Sequence, residues 1–150
     1  MSALPDRPNI LYIHSHDSGR YVQPYGYSVP TPNMQLLADQ GTLFRRAFCA
    51  APTCSGSRAA LLTGQHCHNN GMTGLAHRGW ELNDYGQHLV HPLKKAGYRT
   101  ILVGEQHISK DPGVIGYDEV RRLDSNLAGL VAPSALDAME IAQEPFFMSI

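Results

Sequence analysis

The run Cys54-Ser55-Gly56-Ser57-Arg58-Ala59-Ala60-Leu61-Leu62-Thr63-Gly64 gathers the residues of this chain best suited to chemistry. A nucleophile at the first turn of a helix gains from the positive end of the helix dipole and from backbone N–H groups that have no intrahelical partner. Residues 57–63 read as such a helix, and Gly64 is placed to stop it. Arg58 then lies close to residue 54, where a guanidinium can hold both the nucleophile and an anionic substrate. The plain alternative is a buried structural cysteine in front of an ordinary helix.

The elements that must position this run follow from periodicity and punctuation. Residues 9–14 are a short apolar run that suits a buried parallel strand. Thr31 can cap a helix that Pro32 begins and Gly41 ends, with Leu36 and Leu37 facing the core. Residues 42–48 read as a second extended piece, and residues 65–85, rich in His, Asn and Gly, as a long loop. Leu89, Leu93 and Ala96 have helical spacing, closed by Gly97, and residues 98–103 form a clear strand. Ser134 caps a helix to Gln143, and residues 146–150 form another apolar strand. Strands alternating with helices predict an α/β fold, a mostly parallel sheet sandwiched by helices.

The chain has 150 residues, enough for one domain with a real core. Its formal net charge of −1 favours neither nucleic acid nor a membrane surface as partner. No apolar run at the N-terminus reads as a signal peptide, so a cytoplasmic location is expected. Three cysteines, Cys49, Cys54 and Cys67, give no disulfide framework and no Cys-x-x-Cys metal pattern. The chain stops inside the apolar run Pro145-Phe146-Phe147-Met148-Ser149-Ile150. This predicts the N-terminal part of a longer catalytic domain, with the neighbours of the last strand supplied by residues beyond it. Residues 1–150 alone are then expected to be inactive and prone to associate.

The Cys54–Gly64 run resembles the signature of the type I sulfatases, Cys-x-Pro-Ser-Arg-x-x-x-Leu-Thr-Gly, and departs from it at Gly56, where the family has proline. Arg7-Pro8-Asn9-Ile10-Leu11, Thr31-Pro32-Asn33, Leu43-Phe44-x-x-Ala47-Phe48 and Gly97-Tyr98-x-Thr100 also resemble sulfatase spacing. The stretch from Leu62 to Met72 looks closest to the heparan N-sulfatase (sulfamidase) branch. The resemblance implies an alkaline-phosphatase-like fold and the oxidation of Cys54 to formylglycine by a formylglycine-generating enzyme. It implies a divalent metal, calcium first, with magnesium, manganese and zinc as alternatives. One hydroxyl of the hydrated aldehyde would attack sulfur, the alcohol or amine would leave, and the second hydroxyl would expel sulfate.

Site roles carry over residue by residue. The family has two adjacent aspartates after the first strand, both metal ligands; here the pair is His16-Asp17. Asp17 matches, since a carboxylate at a strand's C-terminal end suits a hard cation; a turn residue before Ser18-Gly19 is the alternative. Imidazole is a poor calcium ligand, so His16 either leaves the metal shell or changes the metal. Cys54, as formylglycine, would complete the metal set within this chain. Arg58 would stabilise the formylglycine. His107 matches the histidine of the family's Gly-Lys-x-His segment and would bind sulfate or move protons, against the alternative of a surface loop histidine. Glu105 stands where that segment has lysine and reverses the charge. His66, His68, His77, His88 and His91 match no tight metal motif and read mostly as loop or surface residues, with His68 the one that has some claim to a pocket. The implied substrate is a sulfated small molecule or saccharide; an oligomer is compatible with the sequence. Two other readings stand beside it: a phosphodiester or phosphonate monoester hydrolase of the same superfamily, and a degenerate, non-catalytic anion-binding protein.

Overall fold

A computed structural model of the chain describes residues 7–150. They fall into two compact units, one made of the residues up to His14 together with Ala50–Ile150, the other of Ser15–Cys49.

The larger unit is built on a four-stranded parallel sheet. Its strands are β1 (Ile10–Tyr12), β2 (Arg99–Val103), β3 (Glu119–Arg121) and β4 (Phe146–Ser149), in the spatial order β1-β4-β2-β3. Thr100 pairs with Phe147 and Ile101 with Met148, so the two most buried strands lie side by side. Successive side chains of a strand point to opposite faces. Ile101, Val103, Phe146 and Met148 accordingly join Ala135 and Ala138 of one helix, Ala128–Ile141. Leu102 and Phe147 join Ala59, Leu62, Met72 and Val90 on the other face. That face is covered by the helices Cys54–Thr63 and Val90–Lys95, and the short helix Cys67–Asn70 packs beside the first of them. The α/β sandwich expected from the sequence is what forms, and both faces of its inner strands are dry.

The last strand departs from expectation in one respect. Both neighbours of β4 come from this chain, β1 on one side and β2 on the other, because the two early strands leave an open slot between them. β3 was not legible in the sequence. It is three residues long and two of them are charged, as suits an edge strand. Its Glu119 receives Arg99 of β2 at 2.6 Å, which ties the edge to its neighbour, and Arg121 of its own strand at 2.5 Å. The helix expected to start at Ser134 starts at Ala128 and runs through Pro133. Proline lacks the N–H that a helix interior uses, so the turn before Ser134 does not read as helix from residue type.

The smaller unit, Ser15–Cys49, holds one helix, Pro32–Gln40. Thr31 does not cap it with its side chain. Instead the Thr31 hydroxyl accepts the Gln23 N–H at 2.9 Å, while the Gln23 side-chain oxygen accepts the Thr31 N–H at 3.3 Å. No residue of this helix is buried, and Leu36 and Leu37 are exposed, contrary to the core role expected of them. Residues 42–48 form no strand. The Tyr25 hydroxyl donates to the Phe44 carbonyl at 3.1 Å, taking a backbone group that a strand would pair. In order along the chain, the helices are numbered α1 (Pro32–Gln40), α2 (Cys54–Thr63), α3 (Cys67–Asn70), α4 (Val90–Lys95) and α5 (Ala128–Ile141).

His88 corrects the surface reading of the histidines. It is fully buried, and its Nδ1 accepts the Val90 N–H at 3.1 Å, which places the ring proton on Nε2. Tyr117 meets the ring edge-on at 5.6 Å. Burial, helped by the nearby His91, lowers its pKa to about 4. The unfolded chain therefore takes up a proton, at the free histidine pKa near 6.5, that the folded chain refuses until about pH 4. Stability is full above that window and falls as pH drops through it, by roughly 3 kcal/mol in all. Denaturant unfolding at pH 7 and at pH 4.5 should show most of this loss in the native sequence. His88→Gln, which keeps an acceptor for Val90, should show a clearly smaller loss; an equal loss would mean that other groups carry the acid sensitivity.

Candidate active site

Helix α2 begins at Cys54, three residues earlier than the sequence suggested. Thr53 is extended, at φ −109° and ψ 150°, and its side chain makes no capping bond. The first-turn N–H groups beside Cys54 are thus left without the usual side-chain acceptor, and Gly64, left-handed at φ 66°, ends the helix as expected. Cys54 is half-buried. Arg58, one turn on and about 6 Å along the axis, is buried. Its Nη1 donates to the Glu105 carbonyl at 3.4 Å, while its Nε is buried with no partner. Among the described residues no carboxylate forms an ion pair with Arg58. A buried guanidinium with no carboxylate paired to it among the described residues and with one unsatisfied N–H is a costly arrangement that an anion would relieve.

Gly56, where the signature has proline, sits in the first turn under close packing. A Cβ there would come within 3.0 Å of both Ala51 Cβ and the Met72 carbonyl, and Cys67 Sγ donates to the Gly56 carbonyl at 3.2 Å. Ser55 is buried, and its hydroxyl accepts the Ala76 N–H at 3.0 Å. The segment after α3 is thereby fastened to α2.

The loop after β2 supplies the second half of the geometry. Gly104 is left-handed at φ 82°, and His107 is left-handed at φ 60°, a conformation that costs a non-glycine residue roughly 1–2 kcal/mol. Gln106, buried between them, holds it there. Its side-chain oxygen accepts the N–H groups of Ile108 at 2.5 Å and Ser109 at 3.0 Å, and its amide donates to the Ser109 carbonyl at 2.7 Å. Ile108 is fully buried and anchors the turn from below. Gln106 was missed at the sequence level; its place between two expected site residues was the available signal.

Glu105 does not stand as an unpaired negative charge. One of its carboxylate oxygens receives His107 Nε2 at 2.5 Å and Asn126 Nδ2 at 2.7 Å. The bond to His107, with Asn126 and the Arg58 charge adding to it against some burial, holds the Glu105 carboxyl below the usual carboxylate range. The charge reversal relative to lysine is thus partly absorbed by the adjacent histidine. A cavity of about 460 Å³ opens beside this loop, with Ser55, His77, Glu105, His107 and Lys110 in its wall.

His16 and Asp17 belong to the Ser15–Cys49 unit. Their side chains touch, His16 Nδ1 to Asp17 Oδ2 at 3.0 Å, and Asp17 is left-handed at φ 55° with its carboxylate largely exposed. The pair offers a cation one hard oxygen donor and one borderline nitrogen donor, which admits a divalent metal but adds no second carboxylate. His68 is exposed and lines no cavity described here. No helix among the described residues is long and apolar enough to cross a membrane.

The sulfatase family model matches residues 8–146. The chain belongs to the sulfatase family. It is 32% identical over 127 residues to an arylsulfatase from Klebsiella aerogenes, covering 78% of this chain and 27% of that protein. Human N-sulphoglucosamine sulphohydrolase is 37% identical over 106 residues, 69% of this chain and 21% of its own length. Human N-acetylgalactosamine-6-sulfatase is 38% identical over 126 residues, 74% of this chain and 24% of its own. The chain thus spans about a quarter of the length of these sulfatases. A protein solved in complex with its substrate D-glucosamine-2-N,6-O-disulfate shares the fold, with a TM-score of 0.78 at 24% identity over 95% of this chain and 33% of that one. Sulfatases as a family work with a formylglycine and a divalent metal.

The Gln106 clamp yields a stability test. Gln106→Leu, similar in size but without an acceptor, buries the Ile108 N–H unsatisfied and should cost about 1–3 kcal/mol in denaturant unfolding. Gln106→Glu restores the acceptor and should recover part of that loss. If the two variants are equally destabilised, the turn is held by Ile108 packing and not by the side-chain oxygen.

Proposed function

We propose that this chain is the nucleophile-bearing part of a hydrolase of sulfuric esters or N-sulfates, acting on a sulfated saccharide. The observation that carries the reading is the buried Arg58 guanidinium, unpartnered at Nε, one helical turn from a half-buried Cys54. Oxidised to formylglycine by a dedicated maturing enzyme, residue 54 would supply a hydrated aldehyde as nucleophile. Arg58 binds and orients the anionic group beside it. His107, fixed in its strained backbone and held through Nε2 by Glu105, is set to bind a sulfate oxygen or move a proton. Two of the relatives above are named for sugar sulfates, which supports a saccharide as the substrate class.

Asp17 would hold the divalent ion, calcium by preference, with His16 at its side; the ion would polarise the sulfate oxygens. His16→Asp offers a second hard oxygen and should shift selectivity toward calcium, read by metal analysis of the whole protein. The same ion at the same occupancy in both forms would place His16 outside the metal shell.

The test of the reaction uses the whole protein, co-produced with a formylglycine-generating enzyme. Peptide mass spectrometry should find an aldehyde at residue 54, and aryl sulfates should be hydrolysed faster than the matching phosphate esters. Cys54→Ala should reduce turnover by at least about 10³-fold, the scale expected for losing a nucleophile, with the unfolding midpoint little changed. Substantial turnover in that variant, or an intact thiol in an active native protein, would sink the proposal. Phosphate esters cleaved faster than sulfates would give the site to the phosphodiesterase reading.

A further inference from the structure

The cavity of about 460 Å³ lies at the C-terminal ends of β2 and β3, where parallel α/β sheets bind ligands. Its volume is in the range of a small-ligand pocket. It adjoins the candidate site through Ser55, next to Cys54, and through His107. Pro112 and Leu123 give its wall apolar side chains, while its cationic side chains are Lys110 and Arg122, beside the imidazoles of His77 and His107. Arg122 is already paired with Asp111 at 2.7 Å, and Glu105, the one carboxylate of the wall, is engaged by His107 and Asn126. Lys110 forms no ion pair among the described residues.

Resting on the proposed hydrolysis of sulfated saccharides, we infer that this cavity receives the leaving-group ring of the substrate, and that Lys110 binds a second anionic substituent, sulfate or carboxylate, on that ring. The apolar side chains of Pro112 and Leu123 suit the C–H face of a sugar. The lysine suits a charge that does not react, because an ammonium on a flexible stem binds anions as a point charge without demanding one orientation. Lys110 is thereby a specificity residue. It selects substrates with two anionic groups over substrates with one, and it takes no part in bond breaking.

The experiment compares two substrates in the whole, matured protein: an aryl sulfate with a neutral leaving group, and a monosaccharide carrying two sulfates. Lys110→Ala should raise KM for the disulfated sugar about tenfold, the scale of one lost charged contact, with kcat little changed and both constants for the aryl sulfate unaltered. Lys110→Arg should recover most of the affinity. Equal changes for both substrates, or none for either, would overturn the inference. Binding gives an independent arm. In Cys54→Ala, calorimetry should show the disulfated sugar binding more tightly than its monosulfated counterpart, and adding Lys110→Ala should erase that difference. A protein that turns over neither substrate yet shows this difference would refute the hydrolase reading and leave the anion subsite standing. Absence of the difference would refute the subsite whatever the turnover.

Discussion

The parallel pairing of β2 with β4 is the constraint on which the site depends. Four consecutive residues of β2, Thr100 to Val103, and four of β4 are nearly dry, because α5 covers one face of the sheet and α2 and α4 pack on the other. A strand buried on both sides cannot slip by one residue without exchanging its faces. Its end is therefore fixed, and so is the loop that leaves it. Gly104 turns the chain directly after Val103, and Glu105, Gln106 and His107 follow at positions set by that register. On the same side of the sheet, Ala59 and Leu62 of α2 pack into the core that contains Leu102 and Phe147. One hydrophobic layer thus locates both the cysteine's helix and the histidine's loop, and the Arg58 contact to the Glu105 carbonyl joins the two.

Electrostatics then decide what such a place can hold. Among the described residues Arg58 is a buried cation with no carboxylate of its own, an arrangement that costs free energy unless an anion completes it. Glu105 could have been that anion. It turns instead toward His107 and Asn126, leaving only its backbone carbonyl to Arg58. The Arg58 guanidinium is thus left with a backbone carbonyl as its hydrogen-bond partner, while the Glu105 carboxylate is held by His107 and Asn126.

Much of this was legible in the sequence, for physical reasons that differ by element. The Cys54–Gly64 run declared itself because residue types and spacing carry chemistry directly, and the inner strands did so because burial on both faces demands unbroken apolar runs. The edge strand β3 was hidden because its stability comes from Arg99 and from pairing with β2, not from its own composition. Leu36 and Leu37 misled because helical spacing states which residues share a face but not whether anything covers it. His88 looked like a loop histidine until the Val90 N–H and Tyr117 enclosed it. Gln106 could not be recognised as a clamp, since its bonds to residues 108 and 109 exist only once the turn is made.

The three departures from the family signature, His16, Gly56 and Glu105, bear on whether the site is worn down or rearranged. A site that had lost its chemistry would have no reason to keep backbone strain, and glycine would relieve it. His107 keeps a left-handed backbone without being glycine, and a buried glutamine with three hydrogen bonds maintains it. Glu105, the departure that most offends an anion site, is the residue that holds the strained imidazole. Gly56 occupies a first turn so closely packed that a Cβ would press on the Met72 carbonyl, so the absence of a larger residue there matches the surrounding backbone. Gly56 and Glu105 are each accommodated by the packing and hydrogen bonds around them, which supports the proposed hydrolase over a remnant that merely binds.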